Sequence, residues 1–264
     1  MITPLVNLLV PLIAGIVYFM MAAEIARVSK VRKIMFGEIG YKKVFLAFIL
    51  FGIYFITRPL QNLAGPHPWP LIINSLRQFF LMAVISPAIL VGIFHWVPDE
   101  QRETPRSTVI AAYVVGFLMA TIFILINAVA ITGSKVLGSV AGLPIYDAVW
   151  FSGGGQRTEL VLIHLIAQLV SPVGFFILAA AYVRHRRYNY SLGEIYNNMP
   201  RKWKYLEVGL LMFAGSLVMA GLAALFGQYY TYLWVIYFTG AIVSGILELK
   251  GIEIPPREAP QDLQ

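Results

Sequence analysis

The sequence predicts an all-α polytopic membrane protein: a seven-transmembrane-helix bundle with its N-terminus outside and its C-terminus in the cytoplasm. The 264 residues are 59% hydrophobic and 12% charged, whereas soluble domains carry about 25% charged residues. Apolar runs of the ~20 residues that a spanning helix needs occur at seven places. Lysine and arginine alternate between the loops, with 16 on one side and 4 on the other. The positive-inside rule places the richer side in the cytoplasm.

The helices are expected at 4–28, 43–62, 70–96, 108–133, 158–184, 205–227 and 229–248. The first run lacks the basic start of a cleaved signal peptide, so we interpret it as a retained helix. Residues 1–249 then form the transmembrane domain, and residues 250–264 form a proline-rich cytoplasmic tail or linker. Localisation in the inner (plasma) membrane, as a multi-pass protein, follows from this organisation.

Three features of individual elements stand out in chain order. The third and fifth helices each carry a mid-span Ser-Pro pair, Ser86-Pro87 and Ser171-Pro172, and proline bends a helix because it removes a backbone donor. The repeated Ser-Pro pair has two explanations, a duplication of helical hairpins or chance. The longest connection, Gly133–Arg157, contains aromatic residues and three consecutive glycines, which favours a lid at the membrane interface. Small residues spaced by four in the last two helices predict close packing there: Ser216, Ala220, Ala224, Gly240 and Ser244.

Several kinds of chemistry have no support in the sequence. Cysteine is absent, and no two of the four histidines lie three or four positions apart, so we expect no metal site and no haem. No carboxylate lies mid-span, which disfavours acid–base catalysis. We therefore expect no enzyme, no catalytic residue and no cofactor. The basic residues lie in short loops and set topology, so no nucleic acid is expected as a partner.

Polar side chains collect toward the outer ends of the helices. Arg58 and Arg77 are the most informative, because charge in or near the hydrocarbon is expensive and marks function by default. Asn74, Arg77 and Gln78 share one helical face by their spacing. The predicted ligand-binding set is Arg58, Asn74, Arg77, Gln78, His164, Gln168, Tyr232 and Trp234.

Polar groups among aromatics are typical of small-ligand sites, and two arginines favour an anionic or lipid-like ligand. The alternative is that Arg77 pairs with Glu159 or Asp147 and simply ties the bundle together. Snorkelling of both arginines to the headgroups is a further alternative.

The third helix carries a family resemblance. Its stretch Leu76-Arg77-Gln78-Phe79-Phe80 leads to Ser86-Pro87 and to an aromatic exit, Phe94-His95-Trp96. This resembles the third helix of the seven-helix sensor modules of bacterial histidine kinases and related signalling proteins. The resemblance implies a receptor that senses a ligand and does not turn it over.

Two alternatives to a sensor stay open at this point. One is a small membrane transporter or carrier, which would place its site mid-bilayer between interrupted helices. The other is a non-catalytic accessory subunit of a membrane complex. The expected partners are the lipid bilayer, a small anionic or lipid ligand, and either a second copy of the chain or a cytoplasmic signalling protein.

Overall fold

The computed structural model of the protein describes residues 2–36, 39–96, 106–150, 158–190, 199–225 and 230–252. Within them the chain forms helices and one β-hairpin. The elements are α1 (Ile2–Phe36), α2 (Ile39–Leu63), α3 (Trp69–Phe80), α4 (Ser86–Trp96), α5 (Arg106–Ala130), β1 (Ile131–Val140), β2 (Leu143–Trp150), α6 (Thr158–Gln168), α7 (Gly174–Tyr190), α8 (Met199–Leu225) and α9 (Tyr230–Ile252).

Within the described residues, seven helical spans are long and apolar enough to cross a membrane, which confirms the predicted helix bundle and, for this part of the chain, the number of its spans. Two of the spans are interrupted, because short π-helical segments join α3 to α4 (Leu81–Ile85) and α6 to α7 (Leu169–Val173). The third span is the most enclosed, with 72% of an apolar stretch of 18 residues buried, against 28% of the corresponding stretch in the fourth. The third span is therefore the centre of the bundle, and α5 lies at its edge.

Aromatic rings fill the middle of the bundle. Tyr18 of α1 stacks on Phe51 and Phe55 of α2, with ring centroids 5.0 and 5.3 Å apart. Phe213 of α8 meets Phe51 edge-to-face at 5.1 Å. Such offset and edge-on pairs stabilise a core beyond the burial of their surface. Large apolar side chains remain exposed on the outer face of α5, as expected for a surface that meets lipid.

The two Ser-Pro interruptions meet inside the bundle. In the first, the Ser86 hydroxyl donates to the carbonyl of Leu81 at 2.7 Å. In the second, the Ser171 hydroxyl reaches across and donates to the carbonyl of Met82 at 2.9 Å. Gly116 of α5 lies against the same region, and a side chain there would come within 2.5 Å of the Met82 carbonyl oxygen. The spans thus cross where their helical bonding is irregular.

The connection after α5 differs from the prediction. The fourth helix ends at Ala130, and the residues that follow form the antiparallel hairpin β1–β2, so the protein is not purely α-helical. Ala141 and Gly142 both have positive φ, 51° and 82°, as a two-residue type I′ turn requires. The glycine triplet of the predicted lid, 153–155, lies outside the described residues.

The hairpin is held against the bundle by one face of β2. Ile145 and Asp147 are buried, and they share a face because side chains alternate along a strand. This strand contacts α2 and α3, while β1 contacts α1 and α5. We call this side of the bundle the hairpin end, and the opposite side, where α9 finishes, the tail end.

Candidate ligand-binding site

A group of buried polar side chains lies at the hairpin end of the bundle. We call it the hairpin-end cluster. It consists of Asn7 from α1, Tyr54, Arg58, Gln61 and Asn62 from α2, Arg77 from α3, and Asp147 from β2. The α2 members are three or four residues apart, which places them on one helical face. Three helices and the hairpin therefore build the cluster.

Arg58 is the link between α1, α2 and the hairpin. Its side chain is buried, with 2% of its surface exposed. One guanidinium nitrogen, Nη2, donates to Asn7 Oδ1 at 3.1 Å and to Asp147 Oδ2 at 3.2 Å. The guanidinium also lies 4.4 Å from the ring centre of Trp234 on α9, within the range of a cation–π contact. Arg58 therefore does not snorkel out of the bundle.

Arg77 is also buried, with 6% exposed, but its partners are neutral. Nε and Nη2 donate to the Tyr54 carbonyl at 3.1 and 3.0 Å, and Nη1 donates to Gln61 Oε1 at 2.7 Å. Nε also lies 3.1 Å from Thr57 Oγ1. The guanidinium sits 4.5 Å from the Tyr54 ring centre. Each of its three guanidinium nitrogens thus has a hydrogen-bond acceptor, without a counter-charge in contact.

Asp147 supplies the carboxylate of the cluster. Besides the ion pair with Arg58, it accepts from Gln61 Nε2 at 3.4 Å and from the amide of Ala148 at 2.9 Å. Gln61 thereby bridges Asp147 and Arg77. The alternative in which Arg77 itself pairs with Asp147 or Glu159 is wrong: Asp147 pairs with Arg58, and Glu159 is exposed.

The charges of the hairpin-end cluster do not balance. Two guanidiniums share it with one carboxylate, and arginine stays protonated in proteins. Among the described residues, Asp147 is the acidic side chain that contacts either arginine. Among the described residues the cluster therefore holds one more positive charge than negative, and charge enclosed between helices is costly unless it is paired.

Asn62 adds an unsatisfied amide to the same place. Its side chain is fully buried, one helical turn after Arg58, and neither Nδ2 nor Oδ1 has a hydrogen-bond partner among the described residues. A buried polar group without a partner costs about 1–3 kcal/mol. The cluster thus combines excess positive charge with a free donor and a free acceptor.

Aromatic residues of α9 border the cluster. Trp234 lies under Arg58. The hydroxyls of Tyr237 and Tyr54 are 3.5 Å apart, and Gln78 Nε2 donates to the Tyr54 hydroxyl at 3.2 Å. Arg58, Arg77, Gln78 and Trp234, which the sequence predicted, are therefore brought together. Asn74 is half-buried nearby and makes no hydrogen bond to another described residue.

The other predicted residues lie elsewhere. His164 packs on the Phe123 ring of α5, with centroids 4.1 Å apart. Gln168 donates to the Leu217 carbonyl of α8 at 2.9 Å. Tyr232 is 71% exposed. The face of α6 that carries the first two residues turns toward α5 and α8, so the expectation that Arg77 would lie beside His164 is not met.

Five members of the cluster were not in the predicted set: Asn7, Tyr54, Gln61, Asn62 and Asp147. Gln61 and Asn62 carried a usable signal, because they follow Arg58 at helical spacing. Asn7 was visible as a polar residue in the apolar first helix. Asp147 gave no local signal, since only the hairpin brings it to α2.

Comparison of the chain with protein-family models, with curated proteins and with solved structures finds no match.

Proposed function

We propose that the protein is a membrane receptor or sensor domain that binds a small anionic or lipid-like ligand in the hairpin-end cluster. The observation that supports it best is the uneven charge of the cluster, two buried guanidiniums against one carboxylate. A carboxylate or phosphate group would neutralise the excess, and arginine recognises both with paired hydrogen bonds.

The unsatisfied amide of Asn62 supports the same proposal. An amide offers two donors and an acceptor, so it can bind the neutral polar part of a ligand whose anionic group meets the arginines. Trp234 and Tyr237 provide the aromatic wall that small-ligand sites commonly have. The resemblance of the third helix to sensor modules points to the same function.

The hairpin provides a way for the protein to respond to the ligand. Asp147 forms an ion pair with Arg58 in the structure. A ligand anion that replaced Asp147 at Arg58 would release the carboxylate. Because Asp147 and Ile145 are the buried residues on this face of β2 among those whose side chains the structure describes, release of Asp147 would loosen the hairpin from α2. The hairpin follows α5 directly, so its displacement would be transmitted to the bundle.

The proposed orientation places the hairpin end outside the cell. The loops at the tail end carry most of the lysine and arginine, 16 of 20 residues, and cytoplasmic loops are rich in both. The ligand would then arrive from outside, and the response would leave through the cytoplasmic ends of the helices.

The test is a thermal-shift screen of the detergent-solubilised protein against carboxylates and anionic lipids. A ligand at about 100 times its Kd should stabilise the wild type by about 2.7 kcal/mol. The variant Arg77→Gln should fold and lose the shift. A matched control is Arg186→Gln at the tail end, also a buried arginine over a tyrosine ring, which should keep the shift.

Two results would contradict the proposal. An Arg77→Gln protein that responds to anions like the wild type would place the site elsewhere. An Arg77→Gln protein that unfolds under conditions in which Arg186→Gln is stable would make Arg77 a structural tie.

A transporter is the second candidate, favoured by the contact between the two interrupted spans. Ser171 bonds the carbonyl of Met82 where both helices are irregular, and transporters place their sites at such breaks. Uptake of a labelled carboxylate into proteoliposomes, abolished by Ser171→Ala, would support it. Binding without uptake would favour the receptor.

A further inference from the structure

A buried carboxyl group lies at the tail end of the bundle, on the opposite side from the hairpin-end cluster. Glu248 is on α9, four residues before the end of the helix at Ile252, and only 1% of its surface is exposed. Its side chain lies flat on Gly209 of α8, where a Cβ atom would be 2.6 Å from Glu248 Cγ. The sequence places this residue near the end of a helix, whereas in the structure its side chain is buried between helices.

The hydrogen bonds around Glu248 contain one proton too few if it is ionised. The Ser244 hydroxyl oxygen lies 2.8 Å from the Gly209 carbonyl oxygen and 2.9 Å from Glu248 Oε1. A hydroxyl group has a single proton to donate. If Ser244 donates to Gly209, the contact with Glu248 needs a proton from the carboxyl group. If Ser244 donates to Glu248, two oxygens without a proton face each other at 2.8 Å.

Within the described part of the chain, the surroundings of Glu248 offer no opposite charge. Helix α9 packs mainly against α8 and α1. Facing the carboxyl group, α8 presents Gly209, and α1 presents Tyr18, whose hydroxyl approaches the Ala241 carbonyl at 3.4 Å. Among the described residues no lysine, arginine or histidine pairs with Glu248, and its Oε2 atom has no hydrogen-bond partner.

Glu207, two residues before Gly209 on α8, shows the opposite arrangement. Its carboxylate lies 3.1 Å from Arg187 and 3.9 Å from Arg184. The same bundle end thus holds one acidic side chain with two cations and one with none. An ionisable group enclosed in a membrane domain without a partner marks function by default.

We propose that Glu248 is a proton-binding site of the membrane domain, held as a neutral carboxylic acid between α8, α9 and α1. The acid donates its proton to Ser244, and Ser244 donates its own to the Gly209 carbonyl, so that each short oxygen–oxygen contact holds one proton. Loss of the proton leaves a bare charge at a close contact of α8 and α9. Deprotonation therefore weakens this contact at the tail end, independently of any ligand at the hairpin end.

Infrared spectroscopy of the full chain in lipid tests this directly. The wild type should show the C=O stretching band of a protonated carboxylic acid near neutral pH, and Glu248→Gln should lack it. The Gln variant should fold, because its amide can donate to Ser244 as the acid does. Glu207→Gln is the matched control, and it should keep the band.

A second variant keeps the test decisive if Glu248→Gln does not fold. Ser244→Ala retains the acid and removes its hydrogen-bond acceptor, so the band should remain and change frequency. Absence of a protonated-acid band from the wild type, or its persistence in Glu248→Gln, would overturn the proposal. So would a band that Ser244→Ala leaves unchanged.

Discussion

The two arginines of the hairpin-end cluster are bound in different ways, although both are buried. Arg58 has a carboxylate partner in Asp147 at 3.2 Å. Arg77 has carbonyl, hydroxyl and amide oxygens instead. Hydrogen bonds to neutral acceptors hold a guanidinium in place without cancelling its charge. Arg77 is therefore the better candidate for meeting an anionic ligand, and Arg58 for holding the hairpin.

Replacing Asp147 with Asn tests the role of the ion pair. The change leaves Arg58 buried without its counter-charge, and breaking a buried pair costs about 3–5 kcal/mol. We expect the melting temperature in detergent to fall and an anionic ligand to restore part of it. The control is Glu24→Gln, which removes the largely exposed pair with Arg27 and should change stability by less than about 1 kcal/mol. Equal losses in both variants would contradict the prediction.

Replacing Asn62 with Leu tests the unsatisfied amide. An apolar side chain of similar shape removes a buried polar group that makes no hydrogen bond to a described residue, so the free energy of unfolding without ligand should rise, by about 1–3 kcal/mol at most. The same variant should lose part of the thermal shift produced by the ligand. A marked loss of stability without ligand would show that the amide already has a partner, and would argue against its role in binding.

Two elements set the positions of the site residues. The face of α2 carries four cluster members at helical spacing, and β2 brings the carboxylate to it. A second contact, between α8 and α9, is close along its length because small residues line it. Gly209 meets Glu248, and Gly251 lies against Leu206. Ser216 and Gly240 also meet, as the spacing of small residues predicted. Ala220 is half-buried nearby, and the side chain of Ala224 is outside the described residues.

Replacing Gly240 with Ala tests this contact. A Cβ atom at Gly240 would collide with Ser216 Oγ, so the helices must separate or the serine must rotate. Overpacking of this kind costs about 1–3 kcal/mol, and a thermal denaturation curve in detergent would show it. Gly215→Ala is the control, because nothing lies within 4 Å of its added atom. We expect it to be neutral or slightly stabilising, and a larger loss there than at Gly240 would refute the packing argument.

At the scale of the whole molecule, seven spans enclose polar sites at both ends. The hairpin-end cluster is positively charged, while the carboxyl group of Glu248 lies near the other end between α8 and α9. The aromatic core of Tyr18, Phe51, Phe55 and Phe213 separates them. The proposed receptor function would require a ligand at the hairpin end to change the packing of the helices at the tail end.

Cysteine labelling tests the orientation of the whole molecule, since the chain has no cysteine of its own. With the N-terminus outside, a cysteine at Ser139, exposed on β1, should react with an impermeant thiol reagent in intact cells. A cysteine at Asn198, which lies outside the described residues, should react only after permeabilisation. The reverse pattern would invert the proposed topology and put the anion site inside the cell.

The sequence by itself determined the properties that depend on short stretches of chain. Apolar length defines the seven spans, and helical spacing identified Arg77 with Gln78 and the contact of Ser216 with Gly240. The hairpin was not predicted, because the glycines in and near its strands favoured a loop.

Only the tertiary structure decided which polar groups meet. Asp147 reaches Arg58 across 89 positions of sequence, and His164 turns to α5 rather than to Arg77. Glu248 becomes enclosed because the residue of α8 that faces it is a glycine, Gly209. A residue's spacing fixes its face on its own helix, but the rotation of that helix against its neighbours is set by the packing of all the side chains at once. The burial and the pairing of charges in this protein follow from that rotation.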